Sequence, residues 1–223
     1  LNEGIMLYEF IVCYNRLLSV CLAKITNIIF VMILYRRNMK RLFTVFLIVL
    51  LYSCASSEVG TLLRDVESYI MEHPDSALTV LESVDSSFLR TQKMRANHAL
   101  LHAMALDKNY INVTDDSIAQ VAVDYYSRKG ISKNKARAYY YLGLAYFYQQ
   151  DYDKAILEFT KAEKVAELCD SLYWGMTKDI QGHAYGMTYN YKEVISCFEK
   201  AYDIYNNLLD VNKAQSVQFK LAQ

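Results

Sequence analysis

The side chains with the widest chemical reach in this 223-residue chain are four histidines and five cysteines. His98 and His102 stand four apart in "HALLH", a spacing that lets two imidazoles on one helix face share a metal ion. Ala99 occupies the position where a hydrolytic zinc helix carries its glutamate, and no third ligand follows nearby. The pair therefore reads as two helix histidines near a packing face, and no metal site is expected. His73 precedes Pro74 in a turn and reads as solvated. Cys169 and Cys197 could meet only if neighbouring hairpins bring them together, and Cys197, beside Phe198, reads as a buried free thiol. The sequence has no glycine-rich phosphate loop, no serine-centred nucleophile motif and no paired carboxylates at a recognisable pocket. It recommends no enzyme and no cofactor, so function is expected on a surface.

The elements that build such a surface show in "YYYLGLAYFYQQDYDKAILEFTKA", residues 139–162, and its echo 39 residues later. In that register Gly143 falls on Gly182, Ala145 on Ala184, Tyr146 on Tyr185 and Tyr152 on Tyr191. Ile156, Phe159, Lys161 and Ala162 fall likewise on Ile195, Phe198, Lys200 and Ala201. A fixed period of this size marks stacked repeats, each a helical hairpin. Within the first copy, steps of three and four residues place Gly143 and Tyr146 on one helix face, and Tyr152, Ala155, Phe159 and Ala162 on another. Between them Asp151 is placed to cap the second helix. Asn190 takes that place in the later copy, with Glu193 three residues on for a capping box. A glycine inside a helix costs about 1 kcal/mol relative to alanine. Close approach of two helices, with aromatic rings around the contact, is the expected compensation.

Upstream copies are degenerate. "HPDSALTVLESV" (73–84) reads as a second helix with Pro74 in its first turn, and residues 92–108 read as another helix. Residues 114–130 read as a third, with Thr114 and Asp115 as cap candidates and a stop at Gly130. Four hairpins are predicted, over 58–84, 90–130, 132–169 and 171–208. One proline and seven glycines leave little room for the turns of a sheet protein, and no strand is predicted.

The better copy resembles the tetratricopeptide repeat (TPR), with Tyr139, Leu142, Gly143 and Tyr146 on its first helix and Tyr152, Ala155, Phe159 and Ala162 on its second. Glu167 stands where that family closes with proline. The later copy departs further, at Lys178, Gln181 and Val194. The resemblance implies an all-α fold in which antiparallel hairpins stack into a right-handed α-solenoid. It also implies a concave groove, lined by first helices, for a peptide or partner helix. Its groove positions fall on Arg137, Tyr140, Leu144, Phe147 and Tyr148 in one copy. In the next they fall on Met176, Asp179, His183 and Met187. Tyr140, Tyr148 and Arg137 carry most of that expectation, because Leu144 and Phe147 suit inter-repeat packing equally well. The basic and asparagine clamp that some TPR domains use for chaperone C-termini is absent from these positions.

The front of the chain is different in kind. "MKRLFTVFLIVLLYSC" (39–54) has a basic start, a short apolar run and then Cys54, the order of a secretory signal. "Leu51-Tyr52-Ser53-Cys54" is similar to the bacterial lipobox, which implies acylation of Cys54 and a protein held at a membrane facing the periplasm. Residues 1–38 read as an upstream extension, either a translation artefact or a membrane-associated segment centred on 17–35. Residues 55–60 read as a linker, 61–208 as the repeat domain, and 209–223 as a capping helix or the start of a truncated hairpin.

The chain has 24 basic and 24 acidic side chains. Six of the basic and two of the acidic ones fall in residues 1–54, leaving 18 against 22, a net of −4. A mildly acidic body argues against nucleic acid as partner. The expected function is a non-catalytic scaffold that binds a protein or peptide, in an oligomeric state the sequence leaves open. Two other readings stand beside it, the sensory part of a longer regulator and a glycan- or peptide-capturing lipoprotein. Mass spectrometry of the mature N-terminus is expected to find acyl chains on Cys54. An intact residue 1 or an unmodified Met39 overturns the anchor.

Overall fold

Asp151 accepts a hydrogen bond from the Lys154 amide at 3.2 Å and so opens a helix directly after another has closed. The same device recurs along the chain: Thr91, Ser132, Asp170 and Asp210 each accept from a backbone N–H in the first turn of the helix they precede. The computed structural model describes residues 58–222, and the segments read as an extension and a signal sequence lie outside them.

Among the described residues the structure is helical throughout. The helices are α1 (58–69), α2 (Pro74–Glu82), α3 (Gln92–Lys108), α4 (Ser117–Tyr126) and α5 (Lys133–Tyr148). They continue as α6 (Tyr152–Ala166), α7 (Ser171–Met187), α8 (Tyr191–Asn207) and α9 (Val211–Leu221), with a 3₁₀ turn at Ser86–Phe88. From α2 onward consecutive helices pack as neighbours, and the odd-numbered α3, α5 and α7 also touch in sequence. This is the TPR-like stack of helix pairs that the repeat pattern predicts.

The ring-on-glycine contact is what joins the pairs. A Cβ placed on Gly143 would stand 2.6 Å from the Phe159 ring, and one on Gly182 would stand 2.7 Å from the Phe198 ring. Gly175 makes a third such contact, with Tyr205 at 2.8 Å. As the chain advances from Gly175 to Gly182 its partner recedes from Tyr205 to Phe198, so α7 and α8 run antiparallel. Phe159 is fully buried, and burying such a ring contributes about 1.5–3 kcal/mol, more than the glycine costs its helix.

Each first helix is enclosed by several neighbours and is apolar around much of its circumference. α5 buries eight residues, Ala136, Ala138 and the run 140–145. The second helix α6 keeps a narrower buried stripe, Ala155, Glu158, Phe159, Ala162 and Ala166.

Four turns close on a left-handed residue that is not glycine: Tyr110, Gln150, Tyr189 and Leu209, with φ between 56° and 64°. Around each, the residue after it donates to the carbonyl five back, as Asp151 N–H does to Tyr146 O and Asn190 N–H to Tyr185 O, both at 3.0 Å. These are Schellman caps, and the bonds they complete offset a conformation that side chains disfavour. In three of the four, the residue after the left-handed one is the N-cap of the next helix.

Two local expectations need correction. α4 begins at Ser117 and ends at Tyr126, inside the predicted 114–130, because the Asp115 carboxylate takes the Ser117 N–H and hydroxyl in a turn of its own. Asn190 stands at an N-cap but its side chain caps nothing, and Glu193 meets it through its backbone N–H alone. Cys197 is a buried free thiol as expected, its Sγ donating to Gln181 Oε1, and Cys169 is a second free thiol, donating to Val165 O.

The glycine contacts make a sign test on one helix. Gly182→Ala should lower stability by about 1–2 kcal/mol, since the buried Phe198 ring must move. Gly186→Ala meets only Val194 at an ordinary 3.8 Å and should raise stability by up to about 1 kcal/mol. Chemical denaturation of the two variants reads both, and equal signs would refute the packing account.

Candidate functional site

The nine groove positions divide on inspection of what each side chain touches. Tyr140 and Leu144 are corrections: they are 6% and 5% exposed and belong to the core. The Tyr140 ring packs edge-on against Tyr141 and Tyr173 and stands 6.1 Å from Phe159, so no partner can reach it. Its equivalence to exposed groove positions fails because α5 is wedged between α3 and α7.

Arg137 is also a correction. Its guanidinium donates to Glu67 at 3.4 Å and to Asp170 at 3.3 Å, and lies over the Tyr173 ring at 5.0 Å. One side chain thus ties α1, α5 and the cap of α7 together. Asp179 is held by Lys220 of α9 at 2.6 Å. Met176 is partly buried against the core. Phe147 is half-buried between the Tyr148 and Tyr152 rings. Tyr148, His183 and Met187 remain accessible. His183 packs edge-on against Phe198, and partial burial with the Lys220 charge holds its imidazole below the usual pKa, against the pull of Asp179.

Tyr148 marks where an open site does form. α3 and α5 are neighbours, and the connection 109–116 closes over their C-terminal ends. That connection is pinned by side chains. Asn109 Nδ2 donates to Pro74 O at 2.8 Å and Ala105 O at 2.7 Å, and Gln149 Nε2 donates to Thr114 O at 2.9 Å. Between them lies a cleft of about 210 Å³ lined by Asp107, Lys108, Tyr110, Ile111, Asn112 and Tyr148. A narrower apolar slot shares Asp107, Ile111 and Tyr148 and runs on past Val113, Ile118 and Leu144.

The site is polar at its mouth and tyrosine-rich behind. The Asp107 carboxylate accepts from Lys108 at 2.8 Å. Burial, then the Asp107 charge, raises the Tyr148 phenol above its ordinary pKa. Deeper in, Tyr141 and Tyr173 share a hydroxyl–hydroxyl bond of 2.8 Å, and burial pushes Tyr173 up to about 12. These phenols are therefore neutral at physiological pH; Tyr148 is placed to hydrogen-bond a ligand, whereas Tyr141 and Tyr173 are buried and bonded to each other. Asp107, Ile111 and Asn112 escaped the sequence reading. Carrying the hairpin register upstream, so that Tyr110 answers to Gln150, would have exposed them.

The histidine pair is engaged elsewhere. A ring nitrogen of His98 bonds Leu81 O at 2.9 Å, and burial with the His98 neighbour keeps His102 below its usual pKa. Among the described residues no three metal-ligating side chains assemble, and no helix is long and apolar enough to cross a membrane.

Stacked helix pairs of this kind define a class, the TPR-like helical-repeat fold. Residues 136–168, from within α5 to just past the end of α6, match the tetratricopeptide repeat family. No curated protein matches the chain in sequence. TPR repeats generally mediate protein–protein interaction, and this fold is typically a scaffold without catalysis.

Arg137→Met should cost about 2 kcal/mol of stability, because it strands the nearly buried Asp170 carboxylate. It should leave ligand binding at the Tyr148 cleft unchanged per folded molecule. Unfolding curves with binding measured alongside check this, and a stable variant with lost binding would return Arg137 to the groove.

Proposed function

We propose that this protein is a non-catalytic, lipid-anchored scaffold of the bacterial cell envelope, facing the periplasm. It docks an extended segment or helix of a protein partner on the face made by α3, α5 and α7. The observation that carries this reading is the preformed cleft around Tyr148 on that face. His183 and Met187 extend the accessible positions along α7. Tyrosine and methionine suit such contacts, since they join apolar area to a polar tip or to flexible packing. The anchor rests on the order of charge, apolar run and Cys54 in residues 39–54. Anchoring would raise the local concentration of the docking face near other envelope proteins.

A glycan-capturing role draws support from a different observation. Tyr110 and Tyr189, at equivalent turns, are 94% and 77% exposed, and such rings stack readily on sugars.

Selection of binding peptides from a displayed random library, with calorimetry on the winners, tests the main reading. Tyr148→Ala should weaken the selected peptides by roughly tenfold or more while the far-ultraviolet spectrum stays unchanged. Tyr140→Ala should instead unfold the array. If oligosaccharides bind and no peptide does, or if Tyr148→Ala is silent, docking at this cleft is wrong.

A further inference from the structure

The start of α5 lies at a second cleft, away from the Tyr148 site, of about 420 Å³. It is lined by Lys93, Lys129 and Lys133 with Tyr125, Tyr126, Ser132 and Asn134, and by no carboxylate. Three ammonium groups sharing one cleft repel one another, and an arrangement of this kind persists where something else stabilises it.

Local chemistry does not supply that stabilisation. Lys93 and Lys133 stand in the first turns of α3 and α5, where the helix dipole disfavours a cation. In α6 and α9 a first-turn lysine is neutralised by the aspartate at the cap. Lys154 pairs with Asp151 in α6, and Lys213 pairs with Asp210 in α9. α3 and α5 have neutral caps instead, Thr91 and Ser132, and neither has an acidic residue in its first turn. Arg137 takes both Glu67 and Asp170, and Asp124, beside Tyr125, accepts from Gln120 at 2.7 Å. Lys129 lies over the Tyr125 ring at 4.6 Å, which orients its ammonium without neutralising it.

The cleft is also braced. Lys135, a fourth lysine, donates to Ser127 O and Lys129 O, both at 2.9 Å, and fixes the segment bearing Lys129 against α5. Asn134 Nδ2 donates to the Tyr126 hydroxyl at 3.3 Å. Lysine ammoniums act as point charges with rotatable donors, which suits a compact, multiply charged anion. We propose that Lys93, Lys129 and Lys133, with Tyr125 and Asn134 beside them, form a binding site for a phosphate-bearing ligand. The site is separate from the Tyr148 cleft and does not depend on the docking reading.

Calorimetric titration of the full chain in neutral detergent with inorganic pyrophosphate tests this. One saturable site is expected at low salt, weakening as salt rises. Each single lysine-to-glutamine change should weaken it roughly tenfold, and K93Q/K129Q/K133Q together should abolish the heat. The charge-matched K164Q/K192Q/K200Q variant should stay within about twofold. Without anion, the triple cleft variant should melt no lower than the parent, because it removes repulsion. Short-chain phosphatidylglycerol, compared with phosphatidylcholine, identifies the source. Preference for the former marks a lipid headgroup, whereas pyrophosphate binding without it marks a soluble phosphorylated ligand, and both support the site. The proposal fails if neither probe saturates, if the charge-matched variant loses as much, or if the triple cleft variant melts lower.

Discussion

A phenyl ring packed tightly against a helix needs a bare backbone beneath it, and that requirement organises this array. Gly143 and Gly182 supply the bare patch, and Phe159 and Phe198 supply the rings. Gly175 and Tyr205 repeat the arrangement seven residues toward the other end of the same pair. In the preceding hairpin the positions 39 residues earlier hold Ala136 and Ala166, both buried. A smaller residue faces a larger one in one hairpin, and two of intermediate size take their places in the other. Exchanges of this kind keep interior packing dense while the sequence drifts. They also explain why the repeat shows as scattered small and aromatic residues and not as a continuous match.

Ring packing holds each pair of helices, but stacking of pairs on pairs uses polar bonds as well. Arg137 bridges Glu67 and Asp170. Lys178 meets Glu163 at 2.6 Å, Gln181 donates to Thr160 at 3.2 Å, and Lys220 meets Asp179. Each joins helices that are not partners in one hairpin. Apolar contacts alone would tolerate a slip of one helix along the next, whereas these bonds are satisfied in one register only. Gln181 is nearly fully buried, so a slip would strand its amide. Several residues that a groove would claim, Arg137 and Asp179 among them, are thus already engaged in alignment.

That engagement decides what the sequence could reveal. Helix existence and pairing were legible, because periodicity reports which residues face inward. The capping role of Asp151 was legible from its place before a periodic run. The left-handed turn residues were not, since Tyr110, Gln150, Tyr189 and Leu209 are not types that signal that conformation. Exposure at the groove was the largest miss. Tyr140 and Tyr148 are the same residue type on the same helix, yet one is core and the other lines a cleft. Only the third dimension, in which α3 and α7 flank the middle of α5, separates them. Asp107 and Lys93 were overlooked for a related reason: each gains meaning from a neighbouring repeat.

The position of α5 therefore bears on where this array can recognise anything. Its middle, 136–145, is almost wholly buried because neighbours surround it. A helix so enclosed can offer only its ends. At the C-terminal end the connection 109–116 forms a wall, and Tyr148 faces a cleft with Asp107 at its mouth. At the N-terminal end Lys133 meets Lys93 and Lys129. The two ends also differ in charge for a structural reason. Successive first helices align, so residues at their starts converge on one side of the stack and residues at their ends on the other. A repeat protein can change the chemistry of either side by substituting terminal residues, without disturbing the glycine and aromatic contacts between them.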